Sequence, residues 1–142
     1  MNDPLTEELL DELLEAPDPA KFAEQHGLRS VSLPEYLQQL LDEKGLKRSQ
    51  VISESGLNST FGYQVFMGTR NASRNKLLQI AFAMKLNLRE TNRLLQSAGL
   101  SALYCKDRRD AIIIFCISHG YDLQKVDDEL YRFGETTICP RD

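Results

Sequence analysis

Glycines that end helical patterns constrain the fold of this chain more than any other feature. Each follows a stretch whose apolar residues recur with helical spacing. A glycine in the left-handed conformation commonly ends a helix at this position. These glycines are Gly27, Gly45, Gly56, Gly99, Gly120 and Gly134. Capping patterns precede several of the stretches, at Asp18-Pro19, Ser32–Glu35 and Asn87–Glu90. Asn-Gly and Asp-Gly hairpin signals are lacking, and no long alternating run occurs. The sequence therefore predicts an all-α protein.

The periodicity predicts nine helices. They lie at about 5–15, 19–26, 33–44, 48–55, 59–67, 74–86, 88–98, 106–119 and 122–133. One stretch, 111–117, is rich in β-branched residues and is also compatible with a buried strand. We favour a buried helix there, because the sequence offers no partner strand and the stretch ends in His119-Gly120.

Composition narrows the class of protein. The chain has 142 residues, of which 42% are apolar and 27% charged, and this balance is typical of a soluble globular domain. No apolar run approaches the roughly 20 residues that span a bilayer, so no membrane association is expected. The acidic start has no secretory signal pattern. The cysteines, Cys105, Cys116 and Cys139, form no C-x-x-C pair, and reduced thiols in the cytoplasm are the simplest interpretation.

Charge is distributed unevenly along the chain. The net charge is −4, but residues 1–35 hold nine acidic and two basic residues, whereas residues 36–76 hold three acidic and six basic ones. Residues 77–142 are balanced, with nine of each sign. A protein that coats nucleic acid indiscriminately usually carries excess positive charge throughout. A single basic segment instead favours one confined contact with an anionic partner.

The basic segment contains two short predicted helices joined by a tight turn. The turn is Ser55-Gly56-Leu57-Asn58, in which Gly56 permits a sharp change of direction and Asn58 can cap the second helix. Such a turn holds the two helices crossed, so that one of them protrudes. A protruding helix fits the major groove of B-DNA, which is about 12 Å wide.

Residues 45–73 resemble the phage-repressor (Cro/XRE-type) helix-turn-helix family and align with its consensus without a gap. The matching positions are Gly45, Leu46, Gly56, Gly68, Arg70 and Ser73, with Val51, Leu57 and Val65 as conservative replacements. The resemblance extends over residues 33–98. It implies a lambda-repressor-like helix-turn-helix core of five helices at 33–99, preceded by an acidic helical extension at 1–32 and followed by a C-terminal helical hairpin at 100–142.

Some positions depart from the family pattern. Ile52 stands where a small Ala is usual, and Gly62 stands where a large Ile is usual. Because these positions face each other in the family, the exchange conserves volume across the two crossed helices. Phe66 and Met67 replace polar residues, which leaves apolar surface beside the expected DNA face and puts the family contact at Met67 in doubt.

The resemblance also implies which residues bind DNA, and it divides them into two kinds. The positions that read base edges are Ser59, Thr60, Gln64 and, less directly, Tyr63. The positions that contact phosphates are Lys47, Arg48, Arg70, Asn71 and Arg74. These residues predict a sequence-specific DNA-binding transcriptional regulator whose partner is double-stranded DNA. The alternative is a protein-interaction adaptor that has the same fold but does not bind DNA.

Both ends of the chain allow two interpretations. The N-terminal stretch carries a stripe of Leu5, Leu9, Leu10, Leu13 and Leu14 edged by acidic residues. It is either a helix docked on the core or an acidic arm that binds a partner or inhibits by mimicking phosphate. The apolar hairpin at 100–133 either enlarges a monomer core or forms the interface of a homodimer, which would place two recognition helices about one duplex turn apart.

Signals for chemistry are sparse. No phosphate-binding loop, dinucleotide fingerprint, zinc-protease motif or nucleophile elbow occurs. Cys116 and His119 lie one helical turn apart, but the sequence offers no further ligands at suitable spacing for zinc. We therefore expect no enzymatic activity, no catalytic residues, no cofactor and no metal.

Overall fold

The computed structural model describes residues 6–20 and 31–140, and this part of the chain contains eight helices and no strand. The helices are α1 (Thr6–Glu15), α2 (Leu33–Lys44), α3 (Arg48–Ser55), α4 (Ser59–Met67), α5 (Arg74–Ala83), α6 (Leu88–Ser97), α7 (Arg108–Ser118) and α8 (Leu123–Arg132). The all-α prediction is thus confirmed for the described residues. The predicted helix at 19–26 lies almost entirely outside them.

Side-chain caps fix where most helices begin. Ser32, Asn58, Ser73, Asp107 and Asp122 each accept a hydrogen bond from a backbone N–H in the first turn of the helix that follows. The predicted capping box at Asn87–Glu90 is confirmed, because both reciprocal hydrogen bonds are present. These caps satisfy N–H groups that a helix leaves without a partner.

Residues 31–140 share a continuous hydrophobic core. Helix α2 packs against α4 and α6, α3 packs against α4 and α5, and α5 packs against α6. The side chains of Leu37, Ile52, Val65, Leu77 and Leu94 are almost completely buried in this core. The contacts bring α3 and α4 together on a scaffold formed by α2, α5 and α6.

The ambiguous stretch at 111–117 lies within helix α7, so the prediction of a helix is confirmed. Ile113 and Cys116, three residues apart, are completely buried, and α7 packs against α6 and α8. The neighbouring β-branched residues, Ile112, Ile114 and Ile117, are partly buried against the same core. Burial by neighbouring helices therefore outweighs the strand preference of this run.

Two buried or half-buried side chains hold the C-terminal segment. Asp127 of α8 accepts hydrogen bonds from the backbone N–H groups of Ile138 and Cys139, at 2.6 and 3.0 Å. Arg109 of α7 donates through Nε to the carbonyl oxygen of Thr136 at 2.8 Å. The segment after α8 is thereby tied to both helices of the hairpin.

The chain divides into two units at residues 30 and 31, and α1 belongs to the first. Leu10, Leu13 and Leu14 of α1 are 53%, 41% and 74% exposed. Among the helices of the described residues, none is long and apolar enough to cross a membrane.

Candidate nucleic-acid interface

The turn between α3 and α4 is fixed by hydrogen bonds from two sides. Gly56 has φ +77°, a left-handed conformation that a side chain would strain. The Ser55 hydroxyl donates to the carbonyl oxygen of Ile52 at 2.6 Å and accepts from the backbone N–H of Leu57 at 3.3 Å. From α5, the buried Gln79 donates through Nε2 to the carbonyl oxygen of Ser55 at 3.0 Å. The sequence analysis missed Gln79, although a single amide inside an apolar run was a usable signal.

The crossing of α3 and α4 depends on the pair Ile52 and Gly62. A Cβ atom at Gly62 would lie 2.6 Å from Cγ2 of Ile52, which is closer than real side chains approach. The large side chain of α3 thus occupies the space that a side chain of α4 would fill. The prediction that these two positions face each other across the crossed helices is confirmed.

The residues predicted to read bases share one face of α4. Since an α-helix turns by about 100° per residue, Ser59, Tyr63, Thr60 and Gln64 follow one another along an arc of roughly 140°. Ser59, Thr60 and Tyr63 are exposed and Gln64 is half-buried. Val65 lies on the opposite face, Gly62 and Phe66 lie beyond the Ser59 edge of the arc, and all three are buried. The structure thus brings all four predicted base-reading residues to one solvent-facing surface.

Cations lie near both edges of this surface. The guanidinium of Arg48, the first residue of α3, lies 5.8 Å from the ring centre of Tyr63. Near the other edge, the guanidinium of Arg70 and the Nζ of Lys76 lie 5.6 and 5.0 Å from the ring centre of Phe61. Cation–π contacts hold these long side chains close to α4. Lys76 was not among the residues that the sequence analysis singled out.

The stretch of chain that contains α4 carries no negative charge. The chain has no acidic residue from Ser55 to Arg89. Lys47 precedes α3 and is exposed. Its side chain accepts no hydrogen bond from the first N–H groups of that helix. Asn71 is also exposed. Cations near a helix N-terminus favour an anion such as a phosphate.

Arg74 has a different environment from the other predicted phosphate contacts. Its guanidinium forms two hydrogen bonds of 2.8 Å with the carboxylate of Asp110 and a third, of 3.3 Å, with the carbonyl oxygen of Ala102. Burial raises the pKa of Asp110, but the hydrogen bonds from Arg74 and the Tyr104 backbone outweigh it, and the pKa is lowered overall. The structure therefore directs Arg74 toward α7, and the phosphate contact predicted for it would require this ion pair to open.

The two apolar replacements next to the surface differ in exposure. Phe66 is 6% exposed and belongs to the core, whereas Met67 is 64% exposed. By the same helical geometry, Met67 lies between Tyr63 and Thr60 on the exposed arc, one turn after Tyr63. Only Met67 contributes apolar surface to the proposed DNA face.

Cys116 and His119 lie in different environments, one buried and the other exposed. Burial raises the pKa of the Cys116 thiol to about 11, so the thiol stays protonated at neutral pH. His119 is exposed, and its ring stacks on Phe115 with the ring centres 3.9 Å apart. Within residues 6–20 and 31–140, no three His, Cys, Asp or Glu side chains are grouped so that they could hold a metal ion.

No protein-family model, curated protein or solved structure matches the chain. The resemblance to the phage-repressor family rests on the residues between Gly45 and Ser73 alone.

Proposed function

We propose that this protein binds duplex DNA with sequence specificity through α4 and thereby regulates transcription. The observation that carries the proposal is the exposed polar arc of α4, which lies in an acid-free stretch of the chain and has cations near both edges. We further infer a repressor-like arrangement of α2 to α6, a cytoplasmic location and no enzymatic activity. The pairwise packing of these five helices is consistent with that core.

The arc can read bases as follows. Helix α4 is about 13 Å long, at 1.5 Å per residue, and can lie in the major groove. The amide of Gln64 can pair with the N6 and N7 edge of adenine, and the hydroxyls of Ser59 and Thr60 can donate or accept at neighbouring bases. Tyr63 can add a contact through its phenol group.

Phosphate contacts hold α4 in register on the duplex. Lys47 and Arg48 would meet one phosphate at the start of α3, and Arg70, Asn71 and Lys76 would meet the backbone on the other side of α4. We do not include Arg74, because its guanidinium is engaged by Asp110.

The proposal includes a homodimer. Two copies related by a two-fold axis would present two α4 helices at successive turns of the duplex, about 34–36 Å apart, and would bind a palindromic site.

Selection of bound fragments from a pool of random duplexes tests the proposal directly. We expect a short motif to be enriched. Substitution Gln64→Ala should weaken binding to that motif by about 1–3 kcal/mol and relax the preference at one base pair. Gln96→Ala, an exposed amide on α6, is the matched control and should leave affinity and motif unchanged. An equal loss on every sequence would contradict a base-reading role for Gln64.

Met67 supports the alternative function, a protein-interaction adaptor. Its 64% exposed side chain lies in the middle of the surface that we assign to DNA, and the chain as a whole is acidic. Binding through apolar area should respond little to salt, whereas binding through several phosphate contacts weakens steeply as salt rises. If no motif is enriched and the protein instead binds a protein partner independently of salt, the adaptor function replaces the proposed one.

A further inference from the structure

The C-terminal hairpin has an open apolar groove that the DNA-binding surface does not use. The groove lies between α7 and α8, has a volume of about 660 Å³, and is lined in part by Ile112, Phe115, Tyr121 and Phe133. Phe115 is 52% exposed and Phe133 is 43% exposed. Aromatic side chains left open to water in one place are typical of a surface that another helix covers.

Arginines stand at the rim of this groove. Arg108 and Arg132 line it, and their side chains are 67% and 71% exposed. Each already has one acidic neighbour, Glu135 at 3.8 Å from Arg108 and Glu129 at 3.6 Å from Arg132. Arg108 also donates to the carbonyl oxygen of Phe133 at 3.0 Å, and the guanidinium of Arg132 lies 5.2 Å from the ring centre of Phe133. These contacts are at the surface, where ion pairs are weak, and a guanidinium has five N–H donors, so each arginine can still bind a further carboxylate.

Helix α1 has the complementary chemistry. It exposes Leu10, Leu13 and Leu14, which are spaced three and four residues apart along one stripe, and it contains no basic residue. The exposed carboxylates of Asp11 and Glu15 lie along one edge of the stripe. An acidic leucine helix of this kind can place its leucines against aromatic rings and its carboxylates against rim arginines.

We propose that α1 of one copy docks in the α7–α8 groove of a second copy, and that the exchange is reciprocal. Each chain carries both the helix and the groove, so two contacts related by a two-fold axis close the dimer without leaving either surface open. This inference specifies how the homodimer of the proposed function forms. It does not require DNA binding, and its test is carried out without DNA, so either part can fail separately.

Charge reversal in the full chain tests the reciprocal docking of α1 in the α7–α8 groove. One variant carries Asp11→Arg and Glu15→Arg on α1, and the other carries Arg108→Glu and Arg132→Glu at the groove. We expect the wild type to sediment as a dimer and each variant alone as a monomer, because like charges would then meet at both contacts. An equimolar mixture of the two variants should sediment as a dimer again, since each contact regains opposite charges.

Two further variants test the same contact in case a charge-reversed chain does not fold. Leu14→Ser and Phe115→Ser replace exposed side chains and should each convert the dimer to a monomer. Each variant should keep its helical content and unfold in one cooperative transition, which shows that the monomer is folded. A wild type that is monomeric at high micromolar concentration overturns the proposal. The proposal is also overturned if Phe115→Ser breaks the dimer but the α1 variants do not. A mixture of the two charge-reversed variants that stays monomeric would overturn it as well.

Discussion

At the scale of single residues, the crossing of α3 and α4 depends on Ile52, whose side chain fills the space opposite Gly62. The positions were recognised as facing each other only because residues 45–73 align with a known family. Composition and periodicity would not have paired a residue of α3 with a residue of α4. A Cβ at Gly62 would lie 2.6 Å from Cγ2 of Ile52, so the crossing has room for one large side chain.

Gln79 shows what the sequence did not reveal. It lies between Leu78 and Ile80 on a helix whose surrounding residues are buried, and its amide is 3% exposed. Which backbone group it bonds depends on how α5 packs on the end of α3, and periodicity contains no information on that contact. A buried amide in an apolar run nevertheless requires a partner.

We expect Gln79→Leu to destabilise the fold by about 1–3 kcal/mol, because it keeps the side-chain volume but removes the hydrogen bond to the carbonyl oxygen of Ser55. Urea denaturation measures the effect. The matched control is Gln39→Leu, since Gln39 is an exposed helical amide bonded to Glu43 at 3.0 Å. Its effect should stay within about 0.5 kcal/mol. Equal effects from the two substitutions would mean that Gln79 does not fix the turn.

At the scale of helices, the boundaries of α2, α3 and α4 agree with the predicted ones, because each helix has a glycine immediately after its last residue. Helix α5 was predicted to reach residue 86 but ends at Ala83. The chain reverses there with Lys85 at φ +55°, and the backbone N–H of Leu86 bonds the carbonyl oxygen of Ala81 at 3.0 Å. A lysine in the left-handed conformation gives no sequence signal, so the end of this helix could not be predicted.

The ion pair between Arg74 and Asp110 links α5 to α7 across 36 residues of sequence. Because the pKa of Asp110 is lowered in the folded protein, the pair contributes fully to stability above the ordinary carboxyl pKa of 3.8 and loses its contribution as the pH falls through the folded value. We expect Arg74→Met to destabilise the fold by roughly 1–3 kcal/mol near neutral pH, since it leaves a carboxylate buried without its partner.

The pH dependence distinguishes this pair from a packing effect. The difference in the free energy of unfolding between wild type and Arg74→Met should shrink as the pH is lowered from about 6 through the folded pKa of Asp110, which lies below 3.8, because Asp110 then becomes neutral in both proteins. Urea titrations at several pH values measure this difference. A difference that stays constant over that range would show that Arg74 stabilises α5 through its alkyl chain rather than through its charge.

At the scale of the whole molecule, the chain contains three regions of different charge and polarity. The acidic residues concentrate before residue 36, the acid-free stretch surrounds α4, and the apolar groove lies in the C-terminal hairpin. The charge pattern was readable from the sequence. The position of Arg74 was not, because its orientation toward Asp110 depends on how α7 packs against the rest of the core.

The surface assigned to DNA makes a quantitative prediction about salt. Each phosphate that a cation neutralises adds about 0.9 to the slope of log Kd against log salt concentration. Lys47→Ala and Arg70→Ala should therefore each reduce that slope by about 0.9 per bound copy, and should weaken binding to all sequences alike. Arg93→Ala is the matched control, because Arg93 is an exposed cation on α6, which packs against α2 and α5. Fluorescence anisotropy with a labelled duplex at several salt concentrations measures the slopes. If Arg93→Ala lowers the slope as much as Lys47→Ala does, the phosphate contacts lie on a different face from the one that α4 presents.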